Sequence, residues 1–101
     1  MKKKLFIFIL ALMTLVLTAC SSKNIFTITI DSNYDDYIIL GTSADYPPYE
    51  SLKTVNDKLT VVGFDIELAK EVAKALNKNL KVINRDFDFL LEDLMAGKVD
   101  F

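Results

Sequence analysis

The 101 residues contain no histidine and a single cysteine, Cys20. With no imidazole and one thiol, the chain lacks the usual soft metal ligands and has no cysteine–histidine nucleophile pair. One cysteine also excludes a disulfide framework within this stretch. A basic face is missing too: beyond the first nineteen residues, nine Lys and Arg stand against fourteen Asp and Glu, a net charge of about −5. Phosphate backbones require the opposite balance, so no nucleic-acid partner is expected. No cofactor and no metal are expected, and neither an internal repeat nor a low-complexity tract interrupts the chain.

What is present begins at the N-terminus. Lys2, Lys3 and Lys4 precede a run from Leu5 to Leu17 that is apolar apart from Thr14. A spanning helix needs about 20 apolar residues, so the run is too short to cross a bilayer and reads as the core of an export signal. It ends in Leu17-Thr18-Ala19-Cys20, which resembles the lipobox of bacterial lipoproteins. That resemblance implies removal of residues 1–19 and lipidation of Cys20, a palmitate-type anchor holding the mature chain on the extracytoplasmic face of a membrane, periplasmic or extracellular. Residues 20–37 then comprise the lipidated Cys20, a polar tether in Ser21-Ser22-Lys23-Asn24, and Phe26-Thr27-Ile28-Thr29-Ile30, which alternates apolar with polar. Two readings of that alternation stand, an extra edge strand and an extended part of the tether. Asp31 to Asp36 reads as an acidic loop.

From residue 38 the pattern becomes α/β. Ile38-Ile39-Leu40 predicts a strand buried on both faces, as in parallel sheets, and Gly41 to Glu50, with adjacent Pro47 and Pro48, predicts a stiff loop at its carboxyl end. Asn56-Asp57 predicts a turn, with Leu59 to Val62 completing a short hairpin. From Ile66 to Leu76 apolar residues recur every three and four positions, predicting a helix capped by Asp65 and stopped in left-handed geometry by Asn77 or Asn79. Leu80 to Ile83 predicts a second strand. Phe87, Leu90, Leu91, Leu94 and Met95 predict one stripe of a second helix, with Asp88 as N-cap and Gly97 past its end. Gly97 to Phe101 reads as a helix stop followed by a strand opening at Val99 with nothing to pair with, so the sequence is expected to be cut short. Strands alternating with crossover helices imply a parallel sheet, whose ligands bind beyond the carboxyl ends of the strands.

Residues 38–101 resemble the family 3 solute-binding proteins that serve polar-amino-acid ABC transporters. The resemblance rests on Gly41-Thr42 with Tyr46-Pro47-Pro48-Tyr49-Glu50, on Val62-Gly63-Phe64-Asp65-Ile66 with Leu68-Ala69-Lys70, and on Phe87-Asp88 with Leu90, Leu94 and Gly97-Lys98-Val99-Asp100. It implies a type II periplasmic-binding-protein-like fold of two α/β lobes closing over a ligand, of which 38–101 would be the first part of lobe one. It further implies no catalysis, an amino-acid-like small-molecule ligand, and an ABC permease as partner. Relatives place ligand-packing side chains at the positions of Tyr46 and Phe87, while the arginine that binds the ligand carboxylate follows the strand opening at Val99 and is absent here. Ser43 replaces an acidic residue of many relatives, which argues against a strongly cationic ligand unless Asp45 or Glu50 substitutes.

Each candidate has a plainer structural alternative. Tyr46 can be a loop anchor packed on its prolines, Phe87 part of the core stripe, and Asp45 and Glu50 solvated or turn-capping carboxylates. Phe64 is expected in the core, and Asp65, Asp88 and Asp100 as caps and fasteners. The competing function is an enzyme on the same fold, a cyclohexadienyl-type dehydratase or an envelope lytic transglycosylase carrying such a domain; a sensor lobe of a signalling kinase is a third.

Overall fold

The computed structural model describes residues 2–7 and 24–101. Residues 2–7 are helical, whereas Cys20 and most of the expected export signal lie outside the described residues. Among the described residues no helix is long and apolar enough to cross a membrane.

Two three-stranded sheets organise the rest. The first has the order β1 (Ile25–Ile28), β6 (Asn79–Asn84), β2 (Tyr37–Thr42). β2 runs parallel to β6, with Ile38 opposite Leu80 and Leu40 opposite Val82, while β1 pairs antiparallel on the far side of β6. The alternating stretch is therefore an edge strand rather than tether. The second sheet is an antiparallel meander of β3 (Asp45–Tyr46), β4 (Glu50–Val55) and β5 (Lys58–Val62). Its hairpin turns at Asn56 and Asp57, both left-handed with φ of 50° and 62°, the pair of positive angles that matches the twist of the flanking strands.

Helix α1 (Phe64–Ala75) returns the chain from the meander to β6 and buries one face. Ile66, Ala69 and Ala73 pack with Leu80 and Val82 of β6 and Val61 of β5, and the half-buried Ile38, Leu40, Phe26 and Ile28 close around them. Asn77 ends the helix at φ 53°, as expected. The start is different. Asp65 makes no cap; Gly63 at φ 132° precedes the helix, and the amides of Phe64 and Asp65 donate to the carbonyls of Pro48 and Tyr49 at 3.1 and 2.9 Å. The loop satisfies donors that a side chain would otherwise take. Phe64 is 64% exposed and not in the core, because the first residue of α1 faces out over that loop.

After β6 a single 3₁₀ turn (Phe87–Phe89) leads into the short helix α2 (Leu90–Met95). Asp86, not Asp88, caps this segment, accepting the amide of Asp88 at 3.1 Å. The chain then turns at Gly97, φ 72°. Contrary to expectation, the segment from Val99 finds a partner along the edge of β2 opposite β6. Asp100 N donates to Ile39 O at 2.8 Å, Gly41 N to Phe101 O at 2.9 Å, and the Asp100 carboxylate accepts Ile39 N at 2.8 Å. β2 itself is half-buried rather than covered on both faces, since α2 shields only part of its second face.

Candidate functional site

Because β2 and β6 are parallel, their carboxyl ends lie side by side, and two loops leave from the same edge. The loops are tied to each other: Arg85 N donates to Thr42 O at 2.8 Å, and Ala44 N to the Asn84 side-chain oxygen at 2.9 Å. Between them lies an open depression of about 470 Å³ whose lining includes Ser43, Asp45, Asn84, Arg85, Asp86 and Phe87. A second depression of about 490 Å³ adjoins it across Asn84, Arg85 and Asp86 toward Ile25 and Phe89.

Three of the four residues singled out from the sequence meet here. Ser43 is only 5% exposed and is one of the residues lining the depression, so its hydroxyl is the hydrogen-bonding group that the end of β2 brings to the site. Asp45 opens β3 with its carboxylate exposed on the rim. Phe87 is 74% exposed on the 3₁₀ turn, which places it on the rim and not in the core. Tyr46 stands apart. Alternation along β3 sends it away from Asp45, and it stacks on Tyr49 with ring centroids 5.6 Å apart and planes 13° from parallel. Glu50 is neither a free carboxylate nor a turn cap; half-buried, it accepts a hydrogen bond from the Thr42 hydroxyl at the end of β2.

Sequence reasoning passed over Arg85 and Asp93. Arg85, the sole arginine of the chain, aims Nε at Asp93 Oδ2 at 2.7 Å and lays its guanidinium over the Phe89 ring, 4.9 Å from the centroid. Asp93 is the one buried residue of α2, at 3% exposure, with Lys98 Nζ a further 3.7 Å from its Oδ1. The available signal was the single arginine among lysines, since a planar fork suits carboxylate pairing and ring stacking as an ammonium does not. Among the described residues no cluster of three or more acidic, cysteine or histidine side chains is arranged to hold a metal ion. The site offers hydrogen-bond donors and acceptors, two rim carboxylates and an aromatic wall: equipment for holding a small polar molecule.

Comparison with known proteins agrees with this equipment. The family model for bacterial extracellular solute-binding proteins, family 3, matches residues 38–101. The arginine-binding extracellular protein ArtP of Bacillus subtilis is 39% identical over 100 residues, covering 99% of this chain and 36% of its own. The histidine-binding periplasmic protein of Escherichia coli is 40% identical over 63 residues, covering 62% of this chain and 23% of its own. Among solved structures, the amino acid ABC transporter substrate-binding protein AbpA of Streptococcus pneumoniae, bound to L-arginine, superposes with a TM-score of 0.60 at 35% identity over 62% of this chain and 27% of that one. The chain thus spans about a third or less of the length of these relatives. With a family match over residues 38–101, well over half of the sequence, the chain belongs to the bacterial extracellular solute-binding proteins, family 3.

Proposed function

We propose that this chain supplies the first part of lobe one of an extracytoplasmic binding protein that captures a polar amino acid or a related small solute and delivers it to an ABC permease. The observation that carries this reading is the convergence of Ser43, Asp45 and Phe87 on one depression at the joined carboxyl ends of two parallel strands. Phe87 would cover apolar surface of the ligand and Ser43 and Asp45 would take its polar groups, while Tyr46, stacked on Tyr49 outside this depression, would meet the ligand's aliphatic portion only by turning from that stack toward the site. The relatives bear the names of amino-acid-binding proteins, which favours this over the dehydratase and transglycosylase readings. Residues 1–19 are proposed as the export signal, residues 20–37 as the lipidated Cys20, a tether and the extra edge strand, and residues 38–101 as the part of lobe one present.

Two measurements test the reading. The native protein purified from its host should bind a polar amino acid saturably in calorimetry against a panel that includes L-arginine, L-histidine and L-glutamine; heat signals no larger than buffer throughout would refute capture. Labelled palmitate should be incorporated by the wild type and not by Cys20→Ala; equal labelling of both would remove the anchor.

A further inference from the structure

Arg85 presents a difficulty for a depression suited to a ligand's polar end: a guanidinium on the lining should repel any cationic group that enters. The structure contains the remedy. Asp93, 3% exposed on α2, holds Arg85 Nε at 2.7 Å from behind, and the guanidinium is stacked on Phe89. The Asp93 Oδ1 atom has no hydrogen-bond partner, and Lys98 Nζ stands 3.7 Å from it, so Asp93 meets two cations, of which Arg85 makes the closer contact. A buried carboxylate in contact with a partly exposed guanidinium makes a pair that is close to neutral when viewed from the depression. What remains on the lining is the negative charge of Asp45 and Asp86, beside the hydroxyl of the largely buried Ser43.

We propose that Asp93, which does not line the depression, sets the charge preference of the ligand site by neutralising Arg85, so that the site favours a ligand whose side chain ends in a cation. This rests on the capture reading above. It also resolves the absence of an acidic residue at position 43: the negative field comes from Asp45 and Asp86 once Arg85 has been compensated. Asp93 is a positioning residue in this scheme. Its removal takes no side chain from the lining but frees the positive charge of Arg85 within the site.

The test is the ratio of affinities of the native full-length protein for L-arginine and L-citrulline, ligands of nearly the same shape that differ by one charge. The wild type should prefer L-arginine. Asp93→Asn, close to isosteric, should reduce that preference on the order of tenfold, as expected for unmasking one charge near a partly solvated site. Adding Arg85→Gln to Asp93→Asn should restore most of the preference, because the freed charge is gone, and this pair also guards against a single variant that folds poorly. An unchanged ratio in a normally melting Asp93→Asn protein would overturn the proposal, as would a double variant no more selective than Asp93→Asn alone. A wild type that binds both ligands but prefers L-citrulline would overturn this inference while leaving capture intact. A wild type that binds no amino acid at all would overturn both.

Discussion

The two helices of the chain carry similar apolar patterns and meet opposite fates. α1 buries Ile66, Ala69 and Ala73 against Leu80 and Val82, and these five residues form most of the core. α2 carries Leu90, Leu91, Leu94 and Met95, yet Leu91 is 68% and Met95 81% exposed, and the only residue it buries is the charged Asp93. Its stripe lines an open apolar depression of about 380 Å³ with Gly41, Phe87 and Phe101. Periodicity tells a helix which face is apolar; it does not supply the surface that face will cover. α1 packs the core, whereas α2 contributes one buried carboxylate that pairs with Arg85 at the edge of the depression.

Breaking the packed half should have the largest effect. Leu80→Ala removes a fully buried side chain from the centre of β6, and a loss of about 2–5 kcal/mol in urea denaturation is expected. Gly63→Ala comes next. A Cβ there would lie 2.2 Å from Tyr49 O, at a φ of 132° that side chains rarely adopt, so at least about 1–3 kcal/mol of stability should be lost, with α1 detaching from the Pro47-Pro48 loop. Helix content by circular dichroism, followed together with the melt, checks both.

The site half should respond in binding and not in stability. Phe87→Leu trims a side chain that is 74% exposed, so affinity for the amino acid should fall by about 1 kcal/mol while the melting temperature stays within error. The reverse outcome, a lower melting temperature with affinity intact, would return Phe87 to the core. The smallest effect is expected for Leu91→Ala, an exposed position on α2 where the change in stability should stay within about 0.5 kcal/mol. A larger loss would show that the stripe of α2 is covered, and the contrast between the two helices would fail.

Local signals were read well from the sequence. The three-and-four spacing of α1, the Asn56-Asp57 turn, the left-handed stop at Asn77 and the Asp100 fastener all appear in the structure, because each depends on a few neighbouring residues. The misreadings share a cause, which is competition from a distant segment. Asp65 lost its capping role to carbonyls sixteen and more residues earlier, and Phe64 was turned out by the same contact. Asn79, which also looked like a helix stop, is instead a buried bracket: its side-chain oxygen accepts Ile30 N at 2.7 Å and its amide donates to Tyr34 O at 2.9 Å, fixing the acidic loop. For the candidate site, sequence motifs pointed to the two loops that flank the depression, and strand polarity explains why Ser43, Asp45 and Phe87 meet there. Alternation along a strand only two residues long was not legible, so the separation of Tyr46 from the depression was missed. The Arg85–Asp93 pair was missed because an ion pair across a turn leaves no periodic trace.

The central claim is that the ligand sits where the carboxyl ends of β2 and β6 meet. An amide-resolved NMR titration of the native protein with L-arginine tests it most directly. The largest shifts are expected at Ser43, Ala44, Asp45, Arg85 and Phe87, with Asn56, Asp57 and Leu91 nearly still. Saturable binding that moves the hairpin turn or α2 while Ser43 and Arg85 stay fixed would contradict it.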